Sequence, residues 1–279
     1  MRNRNTLSEI APILIAGFFL VAPIVLLLRL ARAERTPENR YPVAGQAELV
    51  PPANEGTYSK ALQASLWPAP SEVSHSLVAV DPNKPVTVVA FMRRAKVANY
   101  QGQAVAPKDQ TWVTVAPMLK TFCQGYVKEH GSDPDELKLR LKQRLGLPPQ
   151  PDYDTFVELK LDPKDVSKFF RPCGDPATNT NSCEPPAPPQ PEEIREKLKH
   201  LNVGNDKEFQ PYWVLSNYYR SFASQYQFPW TALGYTFDWA PREDGSGDFV
   251  RWGESEFVIA PGTPIQFLSS ADAVAYCTP

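Results

Sequence analysis

Glu254 and Glu256 stand two residues apart in a stretch that reads as extended, which is a spacing that lets two acids act together. On an extended segment the side chains at i and i+2 share a face, so both carboxylates would point the same way. Such a pair can stabilise a cationic transition state at one oxygen while activating an acceptor at another. The surrounding Gly253-Glu254-Ser255-Glu256-Phe257 is not a nucleophile elbow. That turn needs glycine where Phe257 stands, together with a partner histidine that no nearby pattern supplies. His75, His130 and His200 are scattered and no C-x-x-C occurs, so no metal site is expected. Asp244 and Asp248 flank Gly245-Ser246-Gly247, and Asp175, Asn179 and Asn181 share a second polar loop. Neither spacing is that of an EF-hand, and both stretches read as turns.

The run Glu254-Ser255-Glu256, followed by Phe257-Val258-Ile259-Ala260-Pro261-Gly262-Thr263, resembles the E-x-E turn and following strand of arginine-directed ADP-ribosyltransferases. The resemblance implies NAD as cofactor. It also implies that Glu256 orients the nicotinamide ribose and stabilises the cationic transition state, while Glu254 activates the acceptor guanidinium. No Ser-Thr-Ser strand lies upstream, and no arginine can be assigned to the dinucleotide. Taken alone, the same residues give a hairpin edge with two solvent-facing glutamates. The function expected is therefore a non-catalytic binding or structural module that needs no cofactor, with the NAD-using transferase as the alternative.

The four cysteines carry a different message. Cys173 and Cys183 bracket a polar loop, Cys123 sits in an expected helix, and Cys277 lies near the end of the sequence. An even count fits two disulfides and an oxidising compartment. Of the three possible pairings, Cys173 with Cys183 and Cys123 with Cys277 are expected.

Compartment also follows from the amino-terminal residues. Ile10 to Leu28 contains no charged side chain, and 19 helical residues span about 28 Å, close to the hydrocarbon thickness of a bilayer. Ala31-Arg32-Ala33 imitates a cleavage site, but the apolar run exceeds the length of a cleaved signal, so a single-pass anchor in the lipid bilayer is expected. Arg29, Arg32, Arg35 and Arg40 follow the anchor and by the positive-inside rule would hold the domain in the cytoplasm. The cysteines outweigh them and favour export. With no N-x-S/T sequon in the chain, the expected location is a bacterial inner membrane with the large domain in the periplasm. An envelope protein is the expected partner. Its 31 acidic against 29 basic side chains leave no nucleic-acid footprint.

What must position these residues is an α+β domain. Hydrophobic residues at 42% and aromatic residues at 11% suffice for a packed core, and 30 prolines in 279 residues, about twice the usual share, predict short elements and extended connections. The organisation expected is a cytoplasmic tail at 1–9, a transmembrane helix at 10–28, a proline-rich tether at 29–71, and an exported domain at 72–279 with a proline-rich junction at 184–190. Within that domain, Leu77–Val80 and Pro85–Phe91 read as a hairpin around Asp81-Pro82-Asn83-Lys84. Thr111–Val115 reads as a strand running into a helix opened by Pro117, with Met118, Leu119, Phe122, Tyr126 and Val127 on its apolar face.

The spacing predicts a helix over 134–145, capped by Asp133, with Leu137, Leu141 and Leu145 inward and Lys138, Lys142 and Arg144 solvated. A strand at Phe156–Leu161, a short helix from Asp162 to about Phe170, and helices at 191–201 and from Pro211 follow. Last come antiparallel hairpins: Leu233–Trp239 returning through 243–247 to Phe249–Trp252, Glu256–Ile259 with Pro264–Leu268, and a final strand at Ala273–Cys277.

Overall fold

Seven strands pair antiparallel, in the order β4-β6-β2-β1-β3-β7, with β5 beside β6. They are β1 Val86–Met92, β2 Thr111–Val115, β3 Thr155–Leu161, β4 Phe169–Phe170, β5 Tyr235–Pro241, β6 Phe249–Ile259 and β7 Gln266–Asp272. The helices are α1 Glu55–Ala64, α2 Met118–His130, α3 Pro134–Arg144 and α4 Ala273–Cys277. The computed structural model describes residues 55–65, 68–102, 104–150, 152–184 and 227–279. The expected transmembrane helix at 10–28, the tether as far as residue 54, the proline run at 185–190, and the helices at 191–201 and from Pro211 lie outside the described residues. Among the described residues no helix is long and apolar enough to cross a membrane.

Period-two alternation sorts each strand between two faces. On β1, Val89 and Phe91 turn toward α2, α3 and α4, where Leu119, Cys123, Leu137, Leu141 and Tyr276 are buried with them. Val88, Ala90 and Met92 turn the other way and pack with Val113, Val157, Leu159, Phe169, Phe257 and Ile259. Asp133 starts α3 as expected, its carboxylate accepting the N–H groups of Asp135 and Glu136 at 3.0 Å each, a cap worth about 1 kcal/mol.

Several expected elements form differently. Leu77–Val80 is not the partner of β1, whose two edges are taken by β2 and β3. It lies extended against the disulfide loop instead, with Leu77 N–H donating to Asn181 O at 2.8 Å and Val80 N–H to Thr178 O at 2.7 Å. Residues 162–168 make turns rather than a helix, because Asp162 and Asp165 accept backbone N–H groups two residues on and so compete with helical bonding. The expected hairpin of Glu256–Ile259 with Pro264–Leu268 does not form. The end of β6 is flanked by β2 and β4, so β7 crosses to the far edge and pairs with β3. Ala273–Cys277 is a helix, capped by Asp272 through a 2.8 Å bond from Ala275 N–H. Within the expected tether, Glu55–Ala64 folds as α1 and buries Tyr58, Ala61 and Leu62 against Phe237, Trp239 and Phe249. Met118, expected on the apolar face of α2, is exposed.

Arg171 lies inside the domain with no exposed surface. One of its terminal nitrogens donates to the carbonyls of Val78 at 2.9 Å, Thr180 at 3.0 Å and Thr178 at 3.4 Å, the other reaches Gly234 O at 3.5 Å, and the guanidinium lies 4.7 Å from the centre of the Phe257 ring. Burial lowers its pKa to about 10, against the pull of Asp175, so it stays cationic. Gly234 has φ +74°, and a Cβ there would press on the Arg171 stem, so glycine is required on both counts.

Both expected disulfides are present. Cys123–Cys277 ties α2 to α4 across 154 residues of sequence with Cα atoms 5.2 Å apart, and Cys173–Cys183 closes a loop of separation 10 at 6.2 Å. Loop-closure entropy gives about 5 kcal/mol for the long bridge and about 3 kcal/mol for the short one. Cys123→Ser is therefore expected to lower the thermal midpoint of the whole domain more than Cys173→Ser. A larger loss from Cys173→Ser, or recovery of a Cys123–Cys173 peptide in a non-reducing digest, would contradict this assignment.

Candidate binding site

Strand β6 runs unbroken through Gly253-Glu254-Ser255-Glu256, so the expected E-x-E turn is the middle of a strand and its two glutamates are not solvent-facing. Glu254 is 5% exposed and Glu256 7%. Ser255 points to the opposite face, where its Oγ accepts Val78 N–H at 2.7 Å. The carboxylates share a face, as expected, but they meet different surroundings.

Glu254 belongs to a buried ionic cluster. Arg140 and Arg144, one turn apart on α3, reach over the β5–β6 hairpin. Arg140 grips Asp238 with two bonds of 3.0 and 2.8 Å, and Arg144 Nε donates to Glu254 at 2.8 Å, with Nη1 donating to Trp252 O at 3.0 Å and lying 3.6 Å from Asp238. Both guanidiniums also lie against the Phe122 ring, at 4.8 and 4.6 Å from its centre. The face of α3 expected to be solvated is thus largely docked: Arg144 pairs with acids, and Lys142 is buried with Nζ donating to Pro149 O at 3.0 Å. Gly253 makes the approach possible, because any Cβ there would collide with Thr236 and with the Arg144 carbonyl.

Glu256 faces a cavity of about 440 Å³ between the sheet and the ends of α2 and α3, within the size range of small-molecule sites. Its apolar walls include Phe91, Leu119, Leu147, Phe228, Trp230 and Phe237. Among the lining residues Glu256 is the only Asp, Glu, Lys, Arg or His. Trp230, whose ring meets Trp112 edge-on at 5.3 Å, donates its indole N–H to Glu256 Oε2 at 2.8 Å. Burial pushes the Glu256 carboxyl up to about 8, against the downward pull of that bond, so the group is mostly protonated at neutral pH.

One strand away, Thr114 is the register partner of Glu256 and also lines the cavity. It is 4% exposed, and among the described residues its hydroxyl has no hydrogen-bond partner. The other hydroxyls with described bonds are engaged: Tyr100 and Thr111 bond each other at 2.9 Å, and Thr236 donates to Arg144 O and accepts Glu254 N–H, both at 2.8 Å.

The remaining acidic candidates are turn-makers. Asp244 sits in the β5–β6 turn, where it accepts Ser246 N–H and the Arg242 side chain. Asp175 accepts Ala177 N–H, and the Asn181 carbonyl is the one that holds Leu77. Sequence reasoning missed Thr114, Trp230, Arg140 and Asp238. Strand alternation alone places Thr114 and Trp112 together on one face, but nothing in the sequence marks which residue of β6 faces them.

Breaking the ionic cluster at one member leaves a buried charge unpaired, whereas removing a matched pair does not. Asp238→Ala is expected to cost about 3–5 kcal/mol in denaturant unfolding, and Asp238→Leu combined with Arg140→Leu distinctly less. Equal losses from the two variants would show that the pair does not act as a unit. For Glu256 the sign follows from its raised folded-state pKa. The unfolded chain ionises near the ordinary carboxyl value while the native chain holds its proton up to about pH 8. Stability should therefore fall as pH rises through that window, by up to about 1.4 kcal/mol per pH unit. Glu256→Gln should flatten the slope, and parallel stability–pH curves for the two proteins would refute the assignment.

Comparison with protein-family models, curated proteins and solved structures found no match, so function is argued from the chemistry of the cavity itself.

Proposed function

We propose that this chain is a membrane-anchored envelope protein, held in a bacterial inner membrane through residues 10–28, whose periplasmic domain is a non-catalytic binding module. The observation that carries the reading is the cavity: apolar walls and, among the described residues, a single buried ionisable carboxyl with an unpartnered hydroxyl beside it. Convergent polar groups on an otherwise apolar concavity are what small-molecule recognition requires. The two disulfides support an oxidising compartment and hence export.

The surroundings of the two glutamates weigh against the transferase alternative. Stabilising an oxocarbenium ion needs a carboxylate that is charged, whereas Glu256 holds its proton at neutral pH. Activating an acceptor guanidinium needs a carboxylate that is available, whereas Glu254 is paired with Arg144 and does not line the cavity.

The test uses the full chain with a compartment reporter fused after Pro279, its membranes assayed for nicotinamide release from NAD. Periplasmic reporter activity and no release above background are expected. Cytoplasmic reporter activity would overturn the location, and NAD turnover that disappears in Glu256→Gln would install the transferase in place of the binding module.

A further inference from the structure

We propose that the cavity binds an uncharged, mainly apolar molecule through a carbonyl oxygen that accepts two hydrogen bonds, one from the Glu256 side chain and one from the Thr114 hydroxyl. This deepens the binding-module reading and rests on it.

The geometry begins with the strand register. Val89, Thr114 and Glu256 are successive partners across β1, β2 and β6, so their side chains stand in a row on the face that carries the cavity. Directly opposed side chains on neighbouring strands hold their Cβ atoms about 5 Å apart, which lets two of them reach a single ligand atom. Trp230 has already taken one Glu256 oxygen, and among the described residues the other has no partner. The Thr114 hydroxyl is likewise unengaged although the residue is almost wholly buried. A buried hydroxyl without a partner is uncommon and costs about 1–3 kcal/mol unless something fills the place. That hydroxyl and the Glu256 carboxyl, side by side on one cavity wall, define a polar spot in an apolar site.

Charge decides what the spot can take. Among the described residues the lining holds no lysine, arginine or histidine, so an anionic ligand would be desolvated without a counter-charge. A cationic ligand would have to ionise Glu256 in surroundings that favour its protonated form. With the proton in place, Glu256 and Thr114 are both O–H donors, and a carbonyl oxygen has two lone pairs to receive them.

Hexanamide, hexylamine and hexanoate share a chain length and differ at the head. Their binding to the full chain in lipid nanodiscs, with empty nanodiscs subtracted, should be measured at neutral pH by calorimetry. Hexanamide is expected to bind about tenfold tighter than either charged probe, and Thr114→Val and Glu256→Leu each to weaken it about tenfold. Glu256→Gln still offers an N–H donor and should recover part of the loss, which a merely misfolded variant would not do. Hexanamide binding should also weaken above about pH 8, as Glu256 loses the proton it donates. Tighter binding of hexylamine, abolished by Glu256→Leu, would overturn the carbonyl class and leave the cavity as a cation site. Equal binding of all three probes, insensitive to both variants, would overturn the polar spot while keeping the cavity as a binding site. No binding of any probe at about 10 mM would overturn the binding-module reading itself.

Discussion

The arrangement of this domain turns on two guanidiniums. Arg140 and Arg144 occupy one face of α3 and close on Asp238 and Glu254 from neighbouring strands. The leucine stripe of the same helix buries apolar area, but leucines slide at small cost and do not fix rotation or axial position. Bidentate and charge-assisted bonds do fix them, since a shift of an ångström breaks them and strands charges away from water. The next three residues, Leu145, Gly146 and Leu147, form part of the cavity wall, and the Leu147 carbonyl is pinned by Trp239 Nε1 at 3.0 Å. The shape of the candidate site is therefore inherited from an ionic contact outside it.

Division of labour along β6 follows from the same contact. Glu254 is drawn to the helix and becomes structural, while Glu256, one pleat further, is left without a cation and faces the cavity. Two carboxylates two residues apart thus meet opposite surroundings, one bonded to a guanidinium and the other to an indole N–H at an apolar cavity. Buried ion pairs often contribute more to choosing one arrangement than to net stability. Here the arrangement chosen pairs one acid with a cation and turns the next toward the cavity.

Much of this was legible in the residues. The cap at Asp133, the leucine stripe, β2, most of β3 and the β5–β6 hairpin follow from local chemistry, whereas the even count of cysteines pointed to two disulfides without fixing which of three pairings they form. What was not legible depends on partners distant in sequence. Gly253-Glu254-Ser255-Glu256 has the composition of a turn, but each residue answers a different neighbour: the Arg144 carbonyl, the Arg144 guanidinium, the Val78 amide and the cavity. In the same way, Ala273–Cys277 alternates well enough for a strand, and a local signal, the Asp272 cap, made it a helix. The placement of β7 beside β3 was invisible because it depends on which sheet edges other strands had already filled.

The loop from Gly174 to Glu184 resembles, in composition, loops that organise around a metal ion. At its heart lie carbonyl oxygens from Thr178 and Thr180, joined by that of Val78, all directed at one positive group. That group is the Arg171 guanidinium, a cation joined to the chain by its own side-chain bonds. The positive charge at the loop's centre is fixed in the polypeptide and, with a pKa of about 10, persists through neutral pH. Ion-dependent loops respond to their medium, whereas this one is organised around a cation that the chain itself supplies.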